Sequence, residues 1–155
     1  MIRKATAEDA PQIFALVAET IDACYPGHYS GNIVQTFHKF HSLDSIMSDI
    51  KSEKCYLAEE GPLLLGTVTA DGVHVRRLFV APFAQGQGVG SALLREAERA
   101  IFSSHRCVTV DASLPAETFY EKMGYAVVRE CAEEVCGERI AWKVYQKSAG
   151  ERCGL

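Results

Sequence analysis

Across the first fifty residues the apolar positions recur three and four apart: Ile13, Leu16, Val17 and Ile21, then Ile33, Val34, Phe37 and Phe40, then Ile46, Met47 and Ile50. That spacing puts each set on one face of an α-helix. A short strand at 2–5 comes first. The first helix opens at Thr6 or Ala7, with Glu8 and Asp9 in the first turn, where the helix dipole favours acidic groups. Tyr25-Pro26-Gly27 ends that helix, and Ser42 divides 29–51 into two shorter ones. From Cys55 the pattern turns to strands at 55–58, 63–70 and 73–80, joined by Glu60-Gly61-Pro62 and by Asp71-Gly72, a hairpin turn whose central residues need positive φ. These three strands form an antiparallel meander. A glycine-rich loop at 81–90 runs into a helix at 91–102. A buried strand at 107–110, a short helix at 115–123 stopped by Gly124, and strands at 125–129 and 139–145 complete the series. The fold class expected is α/β, one mixed sheet with helices packed on both faces, in a single domain 1–147 followed by a polar tail 148–155.

Composition narrows the classes of function. Sixteen Lys and Arg against twenty Asp and Glu leave a net charge of -4 over 155 residues. Nucleic acid is therefore not an expected partner, because phosphate binding needs a basic surface. No apolar run approaches the ~20 residues that cross a bilayer, and Met1-Ile2-Arg3-Lys4 leads into no apolar targeting segment. The chain reads as a soluble, cytoplasmic domain without a membrane partner. Its six cysteines form neither a disulfide framework nor a zinc-ligand spacing, so free and mostly buried thiols are expected, with Cys153 in the tail the exposed one and no metal implied.

Chemistry concentrates in Gln85-Gly86-Gln87-Gly88-Val89-Gly90-Ser91, which runs from a strand directly into a helix. Small residues leave the backbone N–H groups unobstructed, and the helix start adds the positive end of a dipole. Together they suit a pyrophosphate. No lysine lies between Val80 and Glu98, which excludes a P-loop. A dinucleotide fingerprint fails too, since its third glycine would fall on Ser91 or Leu93 and the preceding strand belongs to an antiparallel hairpin.

The loop resembles that of the GCN5-related N-acetyltransferases (GNAT): Gln85, Gly88 and Gly90 match the pattern Gln/Arg-x-x-Gly-x-Gly/Ala, and Leu78-x-Val80-x-Pro82 matches the approach to it. A second block, Ser113 through Ala116, Tyr120, Gly124 and Tyr125, is similar to the family's Asn-x-x-Ala-x-x-x-Tyr-x-x-x-Gly-Phe. The order of elements agrees over nearly the whole chain. The resemblance implies a mostly antiparallel central sheet splayed in the middle, and acetyl-coenzyme A as co-substrate. The amides of 85–91 would hold its pyrophosphate, and Leu78, Phe79 and Val80 would pair with its pantetheine arm. Ser113 stands where the family has Asn and would replace only part of that hydrogen bonding. Tyr120 takes the position of the acid that protonates the departing thiolate. For the base, the sequence offers His74 and Asp111; an amine with a pKa of about 10.4 must lose a proton before it attacks. Tyr25, Tyr29 and Phe37 lie in the region that overlies the acetyl end in the family and would read the amine-bearing acceptor. Arg76 and Arg77 are expected to face solvent. The implied activity is acetyl transfer to a primary amine. A non-catalytic acyl-coenzyme A sensor is the alternative, and a homodimer is compatible with the chain but located by nothing in it.

Overall fold

The computed structural model describes residues 1–52 and 54–152, the last two by backbone alone. Cys153 and the end of the expected tail lie outside the described residues. Strand β1 (Ile2–Lys4) leads through a 3-10 turn at Ala7–Asp9 into α1 (Ala10–Cys24). Helices α2 (Gly31–Phe40) and α3 (Leu43–Lys51) follow, each started by a serine, Ser30 and Ser42, whose hydroxyl accepts from an N–H in the first turn. The meander is β2 (Cys55–Glu60), β3 (Leu63–Asp71) and β4 (His74–Val80). Then come α4 (Val89–Phe102), β5 (Cys107–Ala112), α5 (Glu117–Lys122), β6 (Ala126–Val135), β7 (Glu138–Ser148) and a last turn of helix, α6 (Ala149–Arg152).

The seven strands form one sheet in the order β1-β2-β3-β4-β5-β7-β6. Every pairing is antiparallel except β4 with β5. Alternation along β2 divides the core. Cys55 and Leu57 pack with α1 and α3 (Ile13, Val17, Ile21, Ile46), while Tyr56 and Ala58 pack with α4 (Leu93, Leu94, Ala97, Ile101) on the other face. The expectation of helices on both faces holds. The final hairpin runs much further than the strands read at 125–129 and 139–145. The part of β6 beyond Arg129 is almost wholly exposed, so no buried face marked it as strand.

Two irregularities of β4 position the site. Its parallel pairing with β5 covers only His74 with Thr109 and Val75 with Val110, leaving residues 76–80 without a β5 neighbour. Against β3, Thr67 faces Phe79 but Thr69 faces Arg76, so β4 holds one extra residue. Arg77 takes it up at a φ of 55°, a left-handed conformation that costs a non-glycine residue about 1–2 kcal/mol. The Arg77 side chain holds that kink. It is 5% exposed, donates to Asp49 of α3 at 3.1 Å and to the Ser45 hydroxyl at 2.7 Å. Asp49 also accepts from Arg76 at 2.6 Å and from the Thr69 hydroxyl at 3.0 Å. The expectation of two solvated arginines holds for Arg76, which is exposed though paired with Asp49 and Asp71, and is corrected for Arg77, which is part of the core because the extra residue turns its side chain inward onto α3.

Candidate active site

The glycine loop leaves β4 at Val80 and turns through Pro82–Ala84 before Gly86 and Gly88, at φ of 77° and 85°, bring it to the start of α4. Gly88 is the residue before the first helical turn and offers no side chain to cap it, so the first amides of α4 stay open to a ligand. The Gln85 side chain does not join them. It donates to the Val80 carbonyl at 3.0 Å and fastens the loop to the strand end. A cleft of about 360 Å³ runs along this loop, bounded by Gln85, Gly86, Gly88, Gly90 and Ser91 on one side and by Leu78, Phe79, Val80, Ser113 and Tyr120 on others. Gln87 and Val89 do not border it.

A second cavity of about 410 Å³ opens on the other side of β4. Leu78, Phe79, Tyr25, Ser113, Ala116 and Tyr120 border both cavities, so the two meet where β4 has left β5. The second cavity's roof comes from the α1–α2 region. Tyr25, Tyr29 and Phe37 pack against one another with ring centroids 4.8–5.5 Å apart. The three expected acceptor residues thus share one wall, and Phe40, 64% exposed, stands at the rim.

Tyr120 is buried between the cavities, packed edge-on against Phe119 and Tyr125. Burial pushes its phenol well above the ordinary tyrosine range, with further increments from Tyr25 and Asp111, so it stays protonated at neutral pH. Burial likewise raises Tyr25 to about 12, against a hydrogen bond with Ser113 that acts the other way. The two candidate bases form one unit. His74 Nε2 lies 3.3 Å from Asp111, and His74 Nδ1 lies 2.7 Å from the Thr109 hydroxyl. The hydrogen bond from His74 is the main reason the Asp111 carboxyl lies below its usual range, and the Trp142 indole adds to it. Both ring nitrogens of His74 are engaged, so Asp111 is the member of the pair more open to the cavity.

His41 belongs to this site and carries no motif that would have marked it. Its ring stands edge-on to Phe79 at 5.1 Å, and its Nδ1 is buried without a hydrogen-bond partner among the described residues. Burial first, then the charges of Arg77 and Arg76, lowers it to about 3, so the imidazole is neutral. Trp142 and Glu133, from the β6–β7 hairpin, close the far wall, Glu133 on the part of β6 beyond the strand read at 125–129.

A sequence model described as the acetyltransferase (GNAT) domain matches residues 25–148. The chain belongs to the GNAT acetyltransferase family. This GNAT chain is similar in fold to a GCN5-related N-acetyltransferase from Rhodopseudomonas palustris, with a TM-score of 0.87 and 23% identity over 96% of this chain and 94% of that one. It is also similar to the PaiA N-acetyltransferase of Thermoplasma acidophilum, solved in complex with coenzyme A (TM-score 0.74, 20% identity, 96% and 98% of the chains). An N-acetyltransferase from Staphylococcus aureus Mu50 gives a TM-score of 0.71 at 18% identity over 96% and 97%. No protein of curated function matches the sequence. Among the described residues no cluster of metal-ligating side chains occurs and no helix is long and apolar enough to cross a membrane.

Proposed function

We propose that this GNAT chain transfers an acetyl group from acetyl-coenzyme A to a primary amine by direct attack of the amine on the thioester. The observation that carries the reading is the meeting of the two cavities at Tyr120 beside the unpaired end of β4. Open amides at the start of α4 suit the pyrophosphate of the coenzyme. The backbone of residues 76–80 suits its amide-bearing arm, as an exposed sheet edge does for any extended peptide-like ligand. The acceptor then enters from the aromatic side.

In this reading the ammonium gives up one proton to solvent, with Asp111, backed by His74, holding the nitrogen in place. The neutral nitrogen bonds to the acetyl carbon and backbone N–H groups of β4 receive the charge that builds on the carbonyl oxygen. The C–S bond breaks, Tyr120 gives its proton to sulfur, and the second proton lost by nitrogen restores Tyr120. The products are an acetamide, the coenzyme thiol and one released proton.

Thermal unfolding with acetyl-coenzyme A, coenzyme A, NAD or ATP tests the coenzyme. A ligand at 100 times its dissociation constant stabilises by about 2.7 kcal/mol, or about 5–10 °C at this size. A shift with the two coenzyme A species alone supports the reading. A shift with NAD or ATP alone, or with none, overturns it. If the chain is instead an acyl-coenzyme A sensor, the shift occurs and no amine releases thiol.

A further inference from the structure

Resting on the acetyl-transfer reading above, we propose that the acceptor is a compact primary amine on an aromatic skeleton, one ammonium on a short arm from a ring. It is not a polyamine and not a residue of a polypeptide. Three features of the second cavity carry this.

Aromatic rings line it from two directions: Tyr25, Tyr29 and Phe37, with Phe79 packed against Tyr25 at 6.3 Å between centroids, on one side, and Trp142 of the hairpin on the other. Flat rings of this kind favour stacked or edge-on aromatic partners over flexible chains. The space, about 410 Å³, corresponds to about fourteen water-sized volumes at ~30 Å³ each. That is ample room for a single ring with an aminoethyl arm.

Charge is placed for a cation. Asp111 is held from two directions, by His74 and by the Trp142 indole, and so is a preformed carboxylate beside an aromatic wall. Glu133 is the other acidic residue on the lining. The positive charges of Arg76 and Arg77 are turned onto Asp49 and Asp71. A triamine such as spermidine would bring three ammonium groups to a lining that carries two carboxylates.

The roof is tied down at two points. The Tyr29 hydroxyl accepts from the Leu114 amide at 2.9 Å, and the Ser30 hydroxyl is hydrogen-bonded to Glu138 beside the turn of the β6–β7 hairpin. These contacts bridge the roof to the loop before α5 and to the hairpin, and a polypeptide laid across that side would have to break them.

Trp142 is the single tryptophan of the chain, so its fluorescence reports on this pocket without any turnover. With coenzyme A present, phenethylamine and tyramine are expected to change it saturably, and spermidine and a lysine-bearing peptide are not. In thiol-release assays the aromatic amines should give kcat/KM at least about tenfold above spermidine and the peptide, one decade being ~1.4 kcal/mol of discrimination. Phe40→Ala, at an exposed position that leaves the core intact, should raise KM for phenethylamine about two- to tenfold, in line with one lost ring contact, and leave KM for acetyl-coenzyme A unchanged. The proposal is overturned if spermidine or the peptide is used as well as the aromatic amines, or if neither aromatic amine perturbs Trp142. A chain that binds the aromatic amines but shows no stabilisation by acetyl-coenzyme A would keep this ligand class and overturn the transfer reading instead.

Discussion

The glycine loop and the aromatic pocket share six residues yet are built in opposite ways. The loop is consecutive backbone, 85–91, shaped by glycines at positive φ and by the start of α4. The pocket is side chains drawn from α2, β4, β5 and the β6–β7 hairpin, set in place by a buried ion pair, a bulge and a hydrogen bond across its roof. A site made of main chain tolerates most changes of neighbouring side chains. A site made of side chains depends on every element that supports it, including Asp49, which borders neither cavity.

The comparison can be broken first at Tyr120, which both regions share. Tyr120→Phe keeps the ring and its packing, so coenzyme A binding by calorimetry should be unchanged while kcat falls about 10²–10⁴-fold, the usual span for one acid–base group. Because Tyr120 is raised above the ordinary value of about 10, the wild-type rate should not decline on the alkaline side until beyond that value. Equal activity of the variant would remove Tyr120 from the chemistry.

Next in size is the support of the pocket. Asp49→Ala strips the buried Arg77 of its carboxylate and should cost about 3–5 kcal/mol in denaturant unfolding, as removing one partner of a buried pair does. A loss below ~1 kcal/mol would show that α3 does not hold the bulge.

The pocket should also respond to acid. His41 is lowered to about 3 in the folded chain but titrates near 6.5 when unfolded, so below 6.5 the unfolded chain binds the extra proton. Stability contributed this way is complete above about pH 6.5 and is lost as pH falls towards 3. Between about pH 7 and pH 5 the wild type should lose about 2 kcal/mol that His41→Phe does not, measured by urea unfolding at both values. Identical pH profiles would place His41 in contact with water.

The smallest effect belongs to the loop. Gly88→Ala meets no neighbour within 4 Å but must hold a φ of 85°. It should destabilise by about 1–2 kcal/mol and weaken coenzyme A binding about tenfold, with kcat at saturation unchanged. A fall in kcat instead would mean that the two regions are not separable.

What the sequence determined by itself was whatever is local. Helix faces, the break at Ser42 before α3, and the glycine loop each depend on residues a few positions apart and were readable; the β3–β4 hairpin was read one residue off, since Asp71 pairs with His74 and the turn is Gly72-Val73 with only Gly72 at positive φ. Tyr120 was found through a motif, and the pocket aromatics Tyr25, Tyr29 and Phe37 through their place in the order of elements. The tertiary structure alone decided the rest. His74 and Asp111, weighed separately as bases, become a pair because β4 and β5 align for only two residues. Arg77 reads as a surface charge until a bulge turns it onto Asp49, 28 residues away. Glu133 enters the pocket on the exposed part of β6 beyond the strand read at 125–129, and Trp142, inside the strand read at 139–145, is carried there by the same hairpin. Hydrophobic spacing records which side of an element is buried, but it carries no information on which distant polar side chains the packing brings within reach of one another.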